Sequence, residues 1–180
     1  TNDEWAFTKE PSDGFYGETV RESLSSSEVT PADFFGFLAD RCEHMDNVVE
    51  PALEEGEYVV TDRYDLSTYA YQSKVLDEGL GIIDPMEYID EMTYHFTIET
   101  DLYIYLDISV EDVFDRMGDS SKEKYEVKDR LKEARRIYKY MGEGKDNAVS
   151  IPAVWDEEGI LDDITLTIEQ GIVGGVPARG

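Results

Sequence analysis

Val59-Val60-Thr61-Asp62-Arg63-Tyr64-Asp65-Leu66-Ser67-Thr68-Tyr69-Ala70-Tyr71-Gln72 is the stretch whose reading decides the architecture. Tyr58, Val59 and Val60 lead into it as a short apolar run, which predicts a buried strand. Such a strand delivers the carboxylate of Asp62 and the guanidinium of Arg63 at its carboxyl end, where open α/β sheets bind ligands. Asp62 is suited to orienting a hydrated magnesium ion or a nucleophile. Arg63 offers a planar fork of donors that matches a phosphate.

Working outward, the chain alternates strand and helix signals. Trp5 to Thr8 reads as a strand that ends in the turn Lys9 to Gly14, and a helix is expected from about Tyr16 to Leu24. Thr30 is placed as an N-cap, with Pro31 at the first helical position and Asp33 in the first turn of a long helix towards Leu53. Phe34, Phe37, Leu38, Arg41, Met45, Val48, Val49 and Leu53 follow helical spacing there, and Pro51 is expected to kink the last turn. Thr68 to Leu76 is predicted helical, and Asp84-Pro85-Met86-Glu87 opens another helix. Leu102 to Asp107 is a dense apolar run of the kind found in a central parallel strand covered on both faces. Helices from Ser109 to Arg116 and Glu126 to Met141, a strand from Ala148 to Val154 and a helix from Leu161 to Ile172 complete the pattern. Strands alternating with helices predict an α/β fold, a parallel sheet with helices on both faces.

The chain has 180 residues, 41% hydrophobic and 12% aromatic, which suits one domain with a sizeable core. One domain is expected over 1–173, with a polar stretch near 118–126 and a loose glycine-rich tail over 174–180. Sixteen basic against 42 acidic residues leave a formal charge of -26, which argues against nucleic acid or an anionic membrane as a partner. Ordinary aromatic content in periodic runs disfavours a disordered acidic protein. A folded protein of a high-salt cytoplasm fits, because at 1 M salt the Debye length is about 3 Å. Cys42 is the only cysteine, so neither an intrachain disulfide nor a cysteine-rich zinc site is available. No run approaches the roughly 20 apolar residues of a membrane span, and the reading is cytoplasmic.

Taken further, Asp62-Arg63-Tyr64-x-x-Ser67-Thr68-x-Ala70-Tyr71-Gln72 resembles the signature of thymidylate kinases. Thr8-Lys9-Glu10-Pro11 is similar to the family's Thr-Arg-Glu-Pro, with lysine for arginine. Phe37-x-x-x-Arg41 matches its Phe-x-x-x-Arg, and Glu123-Lys124-Tyr125-Glu126 resembles its lid-end Asp-Arg-Phe-Glu. The resemblance runs from about Phe7 to Tyr140, and the acidity is of the haloarchaeal kind. It implies a P-loop kinase-type three-layer sandwich that phosphorylates dTMP to dTDP with ATP and magnesium. Arg63, Lys9 and Glu10 then lie at the acceptor phosphate, and Asp62 in the metal network. Phe37 stacks on thymine, Arg41 bonds its O4, and Thr68 and Gln72 contact the base. Tyr71 occupies the space of a ribose 2′-hydroxyl, and Arg116, Lys122 and Lys124 serve the lid. A homodimer packed through acceptor-half helices is also implied, with Phe34, Leu38 and Met45 as a candidate surface.

Plain readings stand beside these. Phe37 and Arg41 also suit a core ring beside a salt-bridged arginine, and 118–126 also suits a solvated loop. His44 and His95 fit no metal or nucleophile pattern and read as structural. Two functional alternatives stay open: a kinase for another deoxynucleotide or nucleoside, and a non-catalytic nucleotide-binding protein. The 180 residues contain no G-x-x-x-x-G-K-[ST] phosphate loop. Either a strand, loop and helix of roughly 30 residues precede Thr1, the favoured reading because the acceptor-side motifs are intact, or the protein has lost its ATP site. Without them turnover is not expected, because nothing would cradle the donor phosphates.

Self-repulsion at a charge of -26 makes a checkable demand. Thermal melts should show a higher midpoint in molar KCl than in dilute buffer, and a midpoint indifferent to KCl would refute the high-salt reading.

Overall fold

The structure, a computed structural model, describes residues 4–25, 28–117 and 128–173. The described residues group into two compact units, one drawn from 1–97 and 121–134, the other from 98–120 and 135–180.

In the first unit, β1 (Trp5–Lys9) pairs in parallel with β2 (Tyr58–Asp62). The register sets Thr8 opposite Thr61 and Lys9 opposite Asp62, so both strand ends deliver polar side chains to one edge. Helices α1 (Phe15–Leu24), α2 (Pro31–His44), α4 (Asp65–Leu80) and α5 (Pro85–Thr93) pack in succession, α1 on α2, α2 on α4 and α4 on α5. Between α2 and β2 the chain passes through a π-helical turn, Met45–Val49, and the short α3 (Glu50–Glu54). Pro51 explains that turn. An α-helical residue 51 would donate to residue 47, and proline has no N–H to give, so the wider turn falls where the bond is lost.

Burial follows the expected stripe in part: Phe34 and Leu38 on α2 and Met45 and Val49 in the π-helical turn are inside, whereas Val48 and Leu53 are exposed. This corrects one expectation: Phe34, Leu38 and Met45 are 0%, 7% and 1% exposed, so they form core and present no surface to a second copy. The caps also follow the sequence. Asp33 Oδ2 accepts from the Thr30 N–H at 2.9 Å, and Asp84 Oδ1 accepts from the Glu87 N–H at 3.1 Å. Helix α4 is longer than the Thr68–Leu76 core of its pattern. It begins at the first-turn carboxylate Asp65 and stops at Gly81, whose φ of 66° closes it with a bond from the Gly81 N–H to Asp77 O.

In the second unit β3 (Tyr103–Asp107) pairs in parallel with β4 (Ala148–Pro152), and α6 (Val110–Met117), the later part of α7 (Lys128–Glu143) and α8 (Glu157–Val173) accompany them. Val110, Ile137, Ile151 and Ala153 are its buried apolar residues. The expectation of a strand covered on both faces is corrected here. Among the described residues β3 has one strand neighbour, and Leu106 is 41% exposed. A continuous apolar run reads the same whether a strand is fully or half covered, so periodicity could not separate the two. No described helix is long and apolar enough to cross a membrane.

The approach of α1 to the turn after β1 is close enough to test. A Cβ on Gly17 would lie 2.0 Å from Ser12 O and 2.7 Å from Asp40 Oδ1. Gly17→Ala should therefore cost about 1–3 kcal/mol in thermal or denaturant unfolding. Gly142→Ala, where a Cβ meets nothing within 4 Å, should be neutral or stabilising.

Candidate active site

Of the residues that the sequence singled out in the first unit, Glu10 and Arg41 meet where the end of β1 faces α2. Thr8 and Glu10 are two residues apart, hence on the same side of an extended chain. They meet Arg41 and His44, one turn apart on α2. Arg41 is 2% exposed and Glu10 is 7% exposed, so this is an ion pair removed from water. Glu10 Oε2 accepts from Arg41 Nη2 at 2.6 Å and from Nε at 3.1 Å. Oε1 accepts from Arg41 Nε at 3.2 Å and lies 3.3 Å from His44 Nδ1. Because a carboxylate only accepts, that imidazole nitrogen carries the proton. Nε2 of His44 lies 2.7 Å from the Thr8 hydroxyl, at hydrogen-bonding distance. The guanidinium of Arg41 lies over the Tyr64 ring, 4.9 Å from its centroid. Its Nη1 is buried and makes no hydrogen bond.

The electrostatics follow from this packing. Burial alone would push the Glu10 carboxyl up, yet the His44 and Arg41 bonds and the Arg41 charge outweigh it and hold it below its ordinary value. Burial works against the Arg41 charge as well, and Glu10 keeps it on. Beside the pair, Asp40 is 0% exposed and accepts from the Ser12 N–H at 3.0 and 3.1 Å and from the Ser12 hydroxyl at 2.5 Å. Burial pushes its carboxyl up against those bonds. Arg21 closes the same turn by donating from Nη1 to Pro11 O and Ser12 O.

The other predicted residues are placed as follows. Asp62 stands exposed at the end of β2, and its carbonyl accepts from the Glu10 N–H at 3.0 Å. Arg63 has φ 69°, the left-handed region that a non-glycine residue rarely occupies, at a cost of about 1–3 kcal/mol where it persists. The Thr61 hydroxyl donates to Arg63 O at 2.8 Å, and the Arg63 guanidinium rests over the Tyr71 ring, 5.3 Å from its centroid. Tyr71 and Phe37 pack against one apolar cluster of Val20, Leu24 and Val75. Thr68 and Gln72, one turn apart on α4, are 4% and 1% exposed. Lys9 pairs with Asp13 at 3.2 Å, an exposed contact of small energetic weight. Arg116 belongs to the second unit, where its Nη2 donates to Ala153 O at 2.7 Å. Lys122, Lys124 and the 118–126 stretch lie outside the described residues.

Comparison with known proteins fits this arrangement. The family model for thymidylate kinases matches residues 1–164. The chain belongs to the thymidylate kinase family. A probable thymidylate kinase of Natronomonas pharaonis is 36% identical over 94% of this chain and 85% of its own length. One of Halorubrum lacusprofundi is 34% identical over 86% and 79%, and the thymidylate kinase of Brachyspira hyodysenteriae is 33% identical over 91% and 78%.

Within this member of the family, the sequence marked His44 as structural without showing its partners, and gave no sign of Asp40 and Ser12. A signal existed for the first: Phe37, Arg41 and His44 fall at i, i+4 and i+7, one helix face, so whatever meets Arg41 also meets His44. Nothing in the spacing could announce the Asp40–Ser12 clamp, which depends on how the turn after β1 folds back. Tyr69 does pack, as expected, with its hydroxyl on Asp90. Tyr64 does more, since it supplies the face under Arg41.

The buried pair has a pH signature with a definite sign. A lowered Glu10 value means stability that is full above the ordinary carboxylate value of 4.5 and is lost as pH falls through the lower folded value. Asp40, raised, works the other way, its contribution fading as pH rises through its folded value. Glu10→Gln should cost about 3 kcal/mol at neutral pH by stranding a buried charge. Thermal melts from pH 7 down to 3 should show the gap between the two proteins closing on the acid side.

Proposed function

We propose that the chain transfers the γ-phosphoryl group of ATP to dTMP, as a P-loop-type nucleoside monophosphate kinase in dTTP synthesis. The observation that carries the reading is Arg41 Nη1: a buried donor without a partner, on a guanidinium whose other edge and one face are already committed. A buried donor left unmet is costly, and the cost is recovered when a ligand brings an acceptor. The O4 carbonyl of thymine is such an acceptor, and Phe37 supplies an aromatic plane from the same helix. Thr68 and Gln72 are the polar side chains proposed to finish base recognition. Tyr71 is proposed to fill the space a ribose 2′-hydroxyl would need, which favours deoxynucleotides. Family membership weighs against the alternatives of a different nucleoside substrate or a non-catalytic binding protein.

Phosphoryl transfer asks the protein mostly for positioning and charge neutralisation. Arg63 is the proposed clamp on the acceptor phosphate, held at its strained backbone by Thr61 and poised over Tyr71. Lys9 would assist as a point charge once released from its surface pair with Asp13. Glu10, spent on Arg41 and His44, acts by positioning the guanidinium. The lid cations Arg116, Lys122 and Lys124 are proposed to close over the transfer. Among the described residues no three carboxylates or histidines gather as a metal cage. Magnesium of this chemistry binds mainly through phosphates and water, and one exposed carboxylate, Asp62, fits that requirement. When bound, the ion neutralises charge on the phosphates. We extend the reading to a single three-layer α/β domain over 1–173 with its lid near 118–126, in a high-salt cytoplasm and with no nucleic-acid or membrane partner. A homodimer, as in the family resemblance, would have to use surfaces other than Phe34, Leu38 and Met45.

With the full-length gene product, titration calorimetry should find dTMP bound about tenfold or more tightly than dCMP, whose N4 amino group opposes the Arg41 donor. Arg41→Ala should narrow that gap, and a coupled ADP-release assay should rank the two nucleotides alike. Equal affinity of the unaltered protein for both would refute the assignment.

A further inference from the structure

A carboxylate can meet a guanidinium along its side, through Nε and Nη2, or across its end, through Nη1 and Nη2. Glu10 takes the side of Arg41, at 2.6 Å to Nη2 and 3.1 and 3.2 Å to Nε, and so Nη1 stays free. The end-on alternative would satisfy the orphaned Nη1 and remove it from any ligand. Something has to hold Glu10 in the side-on arrangement, and the His44 imidazole does so. His44, 1% exposed, ties Oε1 from the same helix at 3.3 Å and is itself fixed by Thr8 at 2.7 Å. Docking of the turn on α2 does not need this contact, since Asp40 already clamps Ser12 with three bonds.

From this geometry we infer that His44 is a positioning residue for base discrimination, locking Glu10 so that Arg41 presents Nη1 alone to the nucleotide. The inference rests on the reading of Arg41 as the group that meets the base. Loss of the imidazole frees the carboxylate to rotate toward the end of the guanidinium, and the discriminating donor is then consumed internally. The phosphate-facing groups Arg63 and Asp62 are not touched by that change, so binding of the base suffers while the transfer step does not.

The substitutions separate the two ring nitrogens. Asparagine reproduces the position of Nδ1 and can keep the bond to Glu10, glutamine reproduces Nε2 and loses it, and leucine loses both. In the full-length gene product, His44→Leu and His44→Gln should raise the KM for dTMP about tenfold, with kcat within about twofold, and should reduce the preference over dCMP by a similar factor. His44→Asn should recover most of both. Calorimetry with dTMP alone should give the same ranking without turnover, and thermal melts identify any variant that has not folded. If the leucine variant does not fold, the asparagine and glutamine pair carries the test. Unchanged KM and preference in His44→Gln would overturn the inference. So would equal losses for both nucleotides, in kcat as well as KM, that asparagine does not repair, which is the pattern of a merely structural histidine. A parent protein without any preference for dTMP fails the proposed function instead, and is recognised before a variant is made.

Discussion

A guanidinium is hard to bury, and much of the first unit is arranged around having buried one. Arg41, at 2% exposure, carries its charge into a region closed by the core side chains of α2 and by the strand ends. Three features make that tolerable: a carboxylate at hydrogen-bonding distance, an aromatic face beneath, and a histidine that keeps the carboxylate in line. Such a pair is weak as a source of stability, because desolvation offsets most of the attraction. Its value lies in geometry. Nε and Nη2 are turned to Glu10 and Nη1 is left without a hydrogen bond, an arrangement that a solvated arginine could not keep.

Around it the backbone is pinned by contacts of a different kind. The turn after β1 is held by Asp40 through Ser12 and by Arg21 through two carbonyls, while Gly17 and Gly14 let α1 approach without a Cβ in the way. A site built around one oriented buried donor cannot tolerate much play in its supports. The charge balance fits the same economy. In a chain with 16 basic residues against 42 acidic ones, several of the cations are spent inside this unit, while the acidic excess lies largely on the surface.

Much of this could be read from the residues. The Tyr58–Asp62 strand, the Thr30 and Asp84 caps and the stripe of α2 were visible because each rests on a local rule, an apolar run, a capping residue or a 3.6-residue period, although β2, expected to be buried, holds no buried residue and leaves Tyr58 39% exposed. Asp62, Arg63 and Tyr71 lie within ten residues of one another, and the structure keeps Arg63 and Tyr71 in contact. What escaped was long-range. The Glu10–Arg41 and Glu10–His44 contacts span 31 and 34 positions and the Asp40–Ser12 clamp spans 28, distances over which no periodicity carries information. His44 looked inert because its partners are Thr8 of β1 and Glu10 just after it rather than a metal or a nucleophile. The extent of burial of β3 escaped for another reason, since coverage is a property of neighbours and is not written in the strand.

Arg63 sits at a backbone angle where glycine or asparagine would rest more comfortably, and it does so directly after β2, beside Tyr71. Selection for folding alone would therefore push position 63 away from arginine, and selection for the phosphate contact proposed for Arg63 would push it back. Such a position separates the two pressures. In a population of variants evolved only for resistance to heat, it is where the chain would begin to forget its chemistry while gaining stability.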